Sequence, residues 1–522
     1  MFHPRRTLRA LLLPLVAGLA LVALPAPDAQ AASTLANGGF ESDGTGTATP
    51  AGWSTYSAAG QNSASYTESG GHSGSYRLSH YSASAYKVET YQYLSGLTNG
   101  TYTLTAWTRS SGGQNSAYIA LKNCGSSDQR TDLPVSTSSW VRIVTSINVT
   151  NNQCTISINS DANAGNWINV DDLTFASGST GLSIKGADIS SLAKSEALGG
   201  VYKTSSGTTG DAVTILKNAG MNYARLKVWV NPVDGYNNKT RVLAMAKRIK
   251  AAGMKLLVDF HYSDTWADPG AQSKPAAWSG HSYSQLKTDV YNHTYDVLSA
   301  LKAQGTTADM VQVGNEINAG MLWSEGSTDN WSQLAGLINS GYSAVKAVSS
   351  GTQVALHLAN AGDDSTVRWW FDNAKTYGIN YDVIGLSYYG YWHGSLAAAQ
   401  TTLDDVVSRY GKPVFIAETA YPFRLDSKDS LTNQIDTTGE LVSGYPATQA
   451  GQLAWMNAVA NIVEAVPGNK GLGVFYWEAT WTAVTGNGWD PTDAASGNGW
   501  ENQALFDYDN KATSATSWFS HR

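Results

Sequence analysis

The chain has 522 residues, of which only 14% are charged, with 18 Trp, 27 Tyr and a formal net charge of −7. That length exceeds a single small core, and the scarcity of charge beside so many aromatic rings excludes both a disordered chain and a coiled coil. The acidic balance argues against nucleic acid as a partner, because displacing counterions from phosphates needs clustered Lys and Arg.

At the start, Arg5, Arg6 and Arg9 precede an apolar run over 10–24, and Ala29, Gln30 and Ala31 follow it. A basic head, a short apolar stretch and an A-x-A ending form an export signal, so 1–31 is expected to be removed and the mature chain to begin at Ala32. The run is too short to cross a hydrocarbon core of about 30 Å, and Pro14 interrupts it. A secreted, extracellular protein free of the membrane is expected, with the Arg5-Arg6 pair leaving either export route open. The only two cysteines, Cys124 and Cys154, are expected to form a disulfide in that oxidising compartment.

From 32 to 176, Ser, Thr, Gly, Asn and Tyr dominate, with alternating runs over 102–107, 117–121 and 141–149. Short alternating runs parted by Gly and Asn turns predict an all-β sandwich. The segments Asn37-Gly38-Gly39-Phe40-Glu41 and Asn169-Val170-Asp171-Asp172-Leu173-Thr174-Phe175 resemble the paired end strands of jelly-roll carbohydrate-binding modules, which often hold calcium. Glu41 and Asp172 would be the hard oxygen donors of such a structural ion. The stretch Ala106-Trp107-Thr108-Arg109-Ser110-Ser111-Gly112-Gly113-Gln114-Asn115-Ser116-Ala117-Tyr118 is similar to galactan-binding modules. Trp53, Tyr56, Tyr86, Tyr91, Tyr93, Trp107 and Trp167 offer aromatic surface for stacking on sugars. The small polar residues of 177–181 predict a linker.

Over 182–522 the pattern changes to apolar strands alternating with helices. Eight strand candidates lie at 184–188, 223–230, 255–262, 309–316, 353–359, 382–389, 413–418 and 472–478, with helical segments at 242–252, 284–304, 331–349 and 448–464 between them. This repetition predicts a (β/α)8 TIM barrel behind the sandwich, a multidomain chain. An open doubly wound sheet would carry a Gly-rich phosphate turn after its first strand, and none is present.

Barrel enzymes place their chemistry where strands end. Of the glutamates after Gly181, only Glu316, Glu418 and Glu478 stand at such positions. A carboxylate closing an otherwise apolar strand is expensive to desolvate and therefore points to function. Two carboxylates across a pocket suffice for glycosidic cleavage; Glu316 with Glu418 is one pairing and Glu418 with Glu478 the other. The nine His show no H-E-x-x-H or short-range ligand pair, so no zinc and no catalytic cofactor is expected.

The strings Ala187-Asp188-Ile189-Ser190, Arg225-Leu226-Lys227-Val228-Trp229, Asp259-Phe260-His261-Tyr262-Ser263-Asp264-Thr265-Trp266-Ala267-Asp268-Pro269 and Val313-Gly314-Asn315-Glu316 resemble the arabinogalactan endo-β-1,4-galactanases of glycoside hydrolase family 53. So do Gly385-Leu386-Ser387-Tyr388-Tyr389, Trp392-His393-Gly394, Glu418-Thr419-Ala420-Tyr421-Pro422 and Asn502-Gln503-Ala504-Leu505-Phe506-Asp507. The resemblance covers nearly the whole chain from Leu182 and implies retaining hydrolysis of plant cell-wall galactan or arabinogalactan, by a monomer. A barrel acting on mannan or glucan and a noncatalytic glycan-binding protein are the alternatives.

The resemblance makes Glu316 the acid/base and Glu418 the nucleophile. Asn315 would bond the sugar's 2-hydroxyl, Arg225 would keep Glu418 ionised, and Glu316 would need less cationic surroundings. Trp477 would form the platform under the sugar. Tyr388 would donate to the nucleophile, with Tyr389 in its place if strand parity runs the other way. His261 and His393 would line the cleft, and Trp229, Trp266, Trp323 and Trp392 would supply further subsites. Some members bind calcium between the loops after the seventh and eighth strands; the corresponding Asp426-Ser427-Lys428-Asp429-Ser430-Leu431-Thr432-Asn433 departs from their pattern.

Overall fold

A computed structural model describes residues 34–178 and 181–520; the export signal lies outside the described residues, as do two positions of the linker. In chain order the front domain has strands β1 (Ser54–Tyr56), β2 (Ser65–Ser69), β3 (Tyr76–Tyr81), β4 (Tyr86–Ser95), β5 (Gly100–Ser110), β6 (Gln114–Lys122), β7 (Gln129–Asp132), β8 (Ser136–Val149), β9 (Gln153–Ala162) and β10 (Trp167–Ser177). They form two antiparallel sheets, ordered β1-β4-β9-β6-β7 and β2-β3-β10-β5-β8. Alternate residues such as Leu104, Ala106, Ile143, Ile147, Ile156 and Ile158 fill the space between the sheets. Cys124 and Cys154 are bonded within this core.

The barrel strands are β11 (Ile184–Asp188), β14 (Tyr223–Val228), β15 (Lys255–Phe260), β16 (Met310–Val313), β17 (Gln353–Leu358), β18 (Val383–Ser387), β19 (Val414–Thr419) and β20 (Gly471–Tyr476), closed in that order. A short hairpin, β12 (Tyr202–Lys203) with β13 (Thr209–Gly210), lies between the first two. The helices are α1 (Leu192–Ala197), α2 (Ala212–Asn218), α3 (Lys239–Ala251), α4 (Tyr283–Ala303), α5 (Trp331–Val348), α6 (Asp364–Thr376), α7 (Leu396–Tyr410) and α8 (Gln449–Glu464). Their starts are chemically marked. Asp211, Asn238, Asn330, Asp363, Ser395 and Thr448 each accept a hydrogen bond from a backbone N–H in the first turn, and Ser282 with Gln285 closes a capping box on α4.

Because side chains alternate along a strand, each barrel strand has one face toward the helices and one toward the axis. Ala224, Leu226 and Val228 pack outward. On the axis, Tyr223, Leu257, Met310, Ala355, Val383, Phe415 and Phe475 form an apolar layer. Two residues further along come Arg225, Asp259, Gln312 and His357, and four beyond Val383 comes Ser387, all buried. The polar residues inside these strands are thus a second interior layer, stacked on a greasy floor and facing the carboxyl end.

The front domain docks on the barrel through β8. Val141 joins the barrel's core cluster. Arg142 donates from its backbone to Gln400 Oε1 at 2.8 Å and from Nη2 to both Asp404 oxygens at 3.0 Å, and it also bonds the Ala465 carbonyl.

Candidate active site

At the carboxyl end of the barrel lies a cavity of about 560 Å³, lined among others by Asp188, Arg225, Lys227, His261, Asn315, Glu316, Tyr389, His393, Glu418 and Trp477. Backbone geometry brings the acids there. Glu316 follows β16 in a left-handed conformation, φ 45°, and Glu478 follows β20 with φ 47°, conformations uncommon outside glycine that are held here by the surrounding structure. On β19 the pairing with β18 slips, from Leu386 opposite Ile416 to Ser387 opposite Glu418. Such an irregularity re-aims a side chain, so Glu418 enters the cavity although Ala417 beside it faces the interior apolar layer.

The two cavity glutamates have different surroundings. Glu418, 6% exposed, receives Arg225 Nη1 at 2.9 Å and the Tyr389 hydroxyl at 3.1 Å. Glu316 receives the Ser387 hydroxyl at 2.6 Å. Burial pushes the Glu316 carboxyl up to about 7, against the pull of Ser387 and the more distant Arg225. Burial also raises Glu418, Arg225 opposes that rise, and the charge of Glu316 adds to it. Of the two, Glu418 alone has a guanidinium in contact and two donors on its oxygens, an arrangement that favours its charged form.

Arg225 organises this floor. It is 1% exposed and bonds Asp188 at 3.0 Å, Asp259 at 2.9 Å, Glu418 at 2.9 Å, Gln312 at 2.8 Å and Asn315 at 2.8 Å. Asn315 spends one amide N–H on the Ala267 carbonyl at 2.8 Å, leaving the other for a sugar hydroxyl. His261 lines the cavity, but its nitrogens are engaged: Nδ1 accepts from the Trp229 indole at 3.2 Å and the Ala267 N–H at 3.1 Å, while Nε2 faces Asp259 at 3.0 Å. His393 is half-buried, its Nδ1 accepts from the Tyr389 N–H at 3.1 Å, and burial lowers its pKa to about 4. Trp477 is braced by Trp500, 4.5 Å away between ring centroids, and by Trp266 and Trp481.

Three expectations need correction. Tyr388 does not reach the nucleophile: it is fully buried among the helices, packs on Trp455 and donates to the Gly394 carbonyl at 2.9 Å. Val383 and Ser387 face the axis, so parity turns Tyr389 inward. Glu478 does not pair with Glu418; its Oε1 is held by Lys227 Nζ at 2.5 Å and its Oε2 accepts the Ser191 N–H at 3.1 Å. Trp229 and Trp323 stand outside the cavity wall, which Trp266, Trp392, Trp489 and Trp500 supply instead. Glu41 and Asp172 both face the loop over 72–76. Glu41 Oε1 accepts the Ser75 and Tyr76 N–H groups at 2.8 and 2.7 Å, and Asp172 holds His72 Nδ1 and the Ser73 hydroxyl, both at 2.7 Å. They clamp a loop, and no cluster of three or more His, Cys, Asp or Glu arranged for a metal occurs among the described residues.

In the loops after β19 and β20, Asp426 pairs with Arg424, Asp429 accepts the Leu431 and Asn498 N–H groups, and Glu501 accepts those of Lys428 and Asp429. Of the front-domain aromatics, Trp53 and Tyr86 are core, while Tyr56 and Tyr93 are exposed. Tyr389→Phe removes one donor from Glu418 and is expected to lower kcat/KM about 10- to 100-fold, about 1–3 kcal/mol. Tyr388→Phe, measured beside it, is expected to leave kcat near normal.

A closed parallel barrel whose carboxyl end sets an arginine-held carboxylate beside a carboxyl whose pKa burial raises, under a tryptophan platform, has the make-up of a barrel glycoside hydrolase. Comparison with known proteins agrees. The family model "Glycosyl hydrolase family 53" matches residues 184–519. An endo-beta-1,4-galactanase of Bacillus subtilis (strain 168) is 36% identical over 361 residues, covering 62% of this chain and 82% of that protein. The GH53 catalytic domain of Ignisphaera aggregans superposes with TM-score 0.62 at 38% identity, covering 64% of this chain and 95% of that one. A structure from a study of two fungal beta-1,4-galactanases gives TM-score 0.58 at 33% identity, covering 66% of this chain and all of that one (100%). The chain belongs to glycosyl hydrolase family 53.

Proposed function

We propose that this chain is an exported endo-β-1,4-galactanase that cleaves pectic galactan by double displacement with retention of configuration. The observation that carries the mechanism is the asymmetry of the pair, Glu418 bonded to Arg225 and Tyr389 and Glu316 to Ser387 alone. The substrate assignment is supported by relatives named as galactanases, including that of Bacillus subtilis.

In the first step Glu418 attacks the anomeric carbon while Glu316 gives its proton to the departing glycosidic oxygen, leaving a galactosyl ester on Glu418. In the second, the Glu316 carboxylate takes a proton from water, whose oxygen attacks the same carbon and frees Glu418. The spare Asn315 N–H meets the 2-hydroxyl, a contact that strengthens as positive charge develops on the ring. The apolar face of Trp477 supports the pyranose. The export signal and front sandwich are read as delivering the enzyme to the cell wall and holding it on glycan, which raises the local concentration of chain at the cleft.

Reducing-sugar release from linear galactan, mannan and cellulose tests the reading. Rapid release from galactan alone is expected; preference for mannan or cellulose, or binding without cleavage, would overturn it. With its pKa raised to about 7, Glu316 holds its proton below that pH and loses it above, so kcat/KM should fall as pH rises through about 7. A profile flat to pH 9 would contradict that role.

A further inference from the structure

Among the described residues Ser387 is the only hydrogen-bond partner of the Glu316 carboxyl, and it is itself held from behind. His357 on β17, fully buried, places Nε2 2.8 Å from Ser387 Oγ, and Ser387 Oγ lies 2.6 Å from Glu316 Oε1. On the other side of the ring, Nδ1 meets Gln312 Nε2 at 3.0 Å and Asn315 Oδ1 at 2.9 Å. The Gln312 amide is fixed with its nitrogen toward the ring, because its oxygen accepts from Arg225 Nε at 2.8 Å. Burial keeps the imidazole neutral, and Arg225 opposes its protonation further. A neutral ring has one proton. Because the Ser387 hydroxyl is donated to Glu316, that proton sits on Nε2 and is given to Ser387, Nδ1 accepts from Gln312, and the Asn315 oxygen beside Nδ1 takes its hydrogen bond from Arg225.

We propose that His357, acting through Ser387, is a positioning residue for the acid/base: the chain His357–Ser387–Glu316 fixes Oε1 as an acceptor in both halves of the reaction and so presents Oε2 as the oxygen that gives and regains the proton. This rests on the reading of Glu316 as acid/base. The chain also opposes burial, since a hydroxyl donated to a carboxylate favours the charged form. The other charged or titratable groups acting on Glu316 and His357 are Arg225 from β14, Asp259 and His261 from β15 and its end, Asp268 from the following loop, Glu418 from β19 and Tyr389 beyond β18. None of them lies within the chain itself.

The test is the pH dependence of kcat/KM on linear β-1,4-galactan for the full chain and its variants. Ser387→Ala should move the basic limb to higher pH by about 1–2 units, the worth of one hydrogen bond to a charged group. His357→Leu should move it the same way by less, and His357→Gln, whose amide nitrogen can replace Nε2, should restore it. In the Ser387→Ala background His357→Leu should add no further shift. A fall in rate that is equal at every pH, with the limb unmoved in Ser387→Ala, would overturn the proposal, as would an additive shift in the double variant. Ser387→Ala alone decides the first outcome if His357→Leu fails to fold. A wild-type limb that persists in Glu316→Ala would instead refute the acid/base assignment, a separate failure.

Discussion

Glu418→Ala is expected to lower turnover of linear galactan by about four orders of magnitude or more, since it removes the proposed nucleophile. Glu316→Ala is expected to cost about 10²- to 10⁴-fold on a sugar leaving group, the usual worth of a general acid. Azide separates the roles. With Glu418→Ala it would attack the anomeric carbon directly and give the inverted glycosyl azide; with Glu316→Ala it would intercept the ester on Glu418 and give the retained one. Chirality of the azide product is read by proton NMR. The same product configuration from both variants would overturn the division of labour, and near-normal rates without azide would overturn the site.

Arg225→Met is expected to be the most damaging change to the fold of the site. It leaves Asp188, Asp259 and Glu418 buried without the cation they share. Breaking one buried ion pair typically costs about 3–5 kcal/mol, and here three carboxylates lose the same partner. A lower melting temperature and a fall of activity beyond 10²-fold are expected together, because Glu418 would hold a proton at neutral pH and could not attack. Arg225→Lys keeps a charge but loses the fork that also reaches Gln312 and Asn315. It should recover more stability than activity, measured by thermal unfolding beside kcat/KM. Equal recovery of both would argue that the charge alone matters.

Much of this architecture was legible in the residue pattern. All eight barrel strands fall where apolar runs end in polar residues, and the runs at 102–107, 117–121 and 141–149 lie in β5, β6 and β8. The helices α6 and α7 were not singled out, although Val367, Trp370, Phe371 and Ala374, and Leu396, Ala399, Leu403 and Val406, carry the helical spacing. What local pattern could not supply was parity and register. Tyr388 and Tyr389 differ in function only because Ser387 faces inward. The entry of Glu418 depends on a slip between β18 and β19, a relation between strands that neither contains. Asp259, Gln312 and His357 read as isolated polar residues in apolar strands, and only closure of the barrel gathers them around Arg225. Asp259 and Ser387 did stand inside the motifs that carried the family resemblance.

The Arg142 contact gives the front domain a definite bearing. Its guanidinium reaches Asp404 on α7 and the carbonyl that ends α8, and lies 5.4 Å from the centre of the Trp107 ring, which stacks on His72. A sandwich seated in this way is not a buoy on a loose string. On the proposed function, a polysaccharide held by the sandwich would reach the cleft from a set angle and distance, so the spacing between anchorage and cut would be written into the molecule as on a measuring jig.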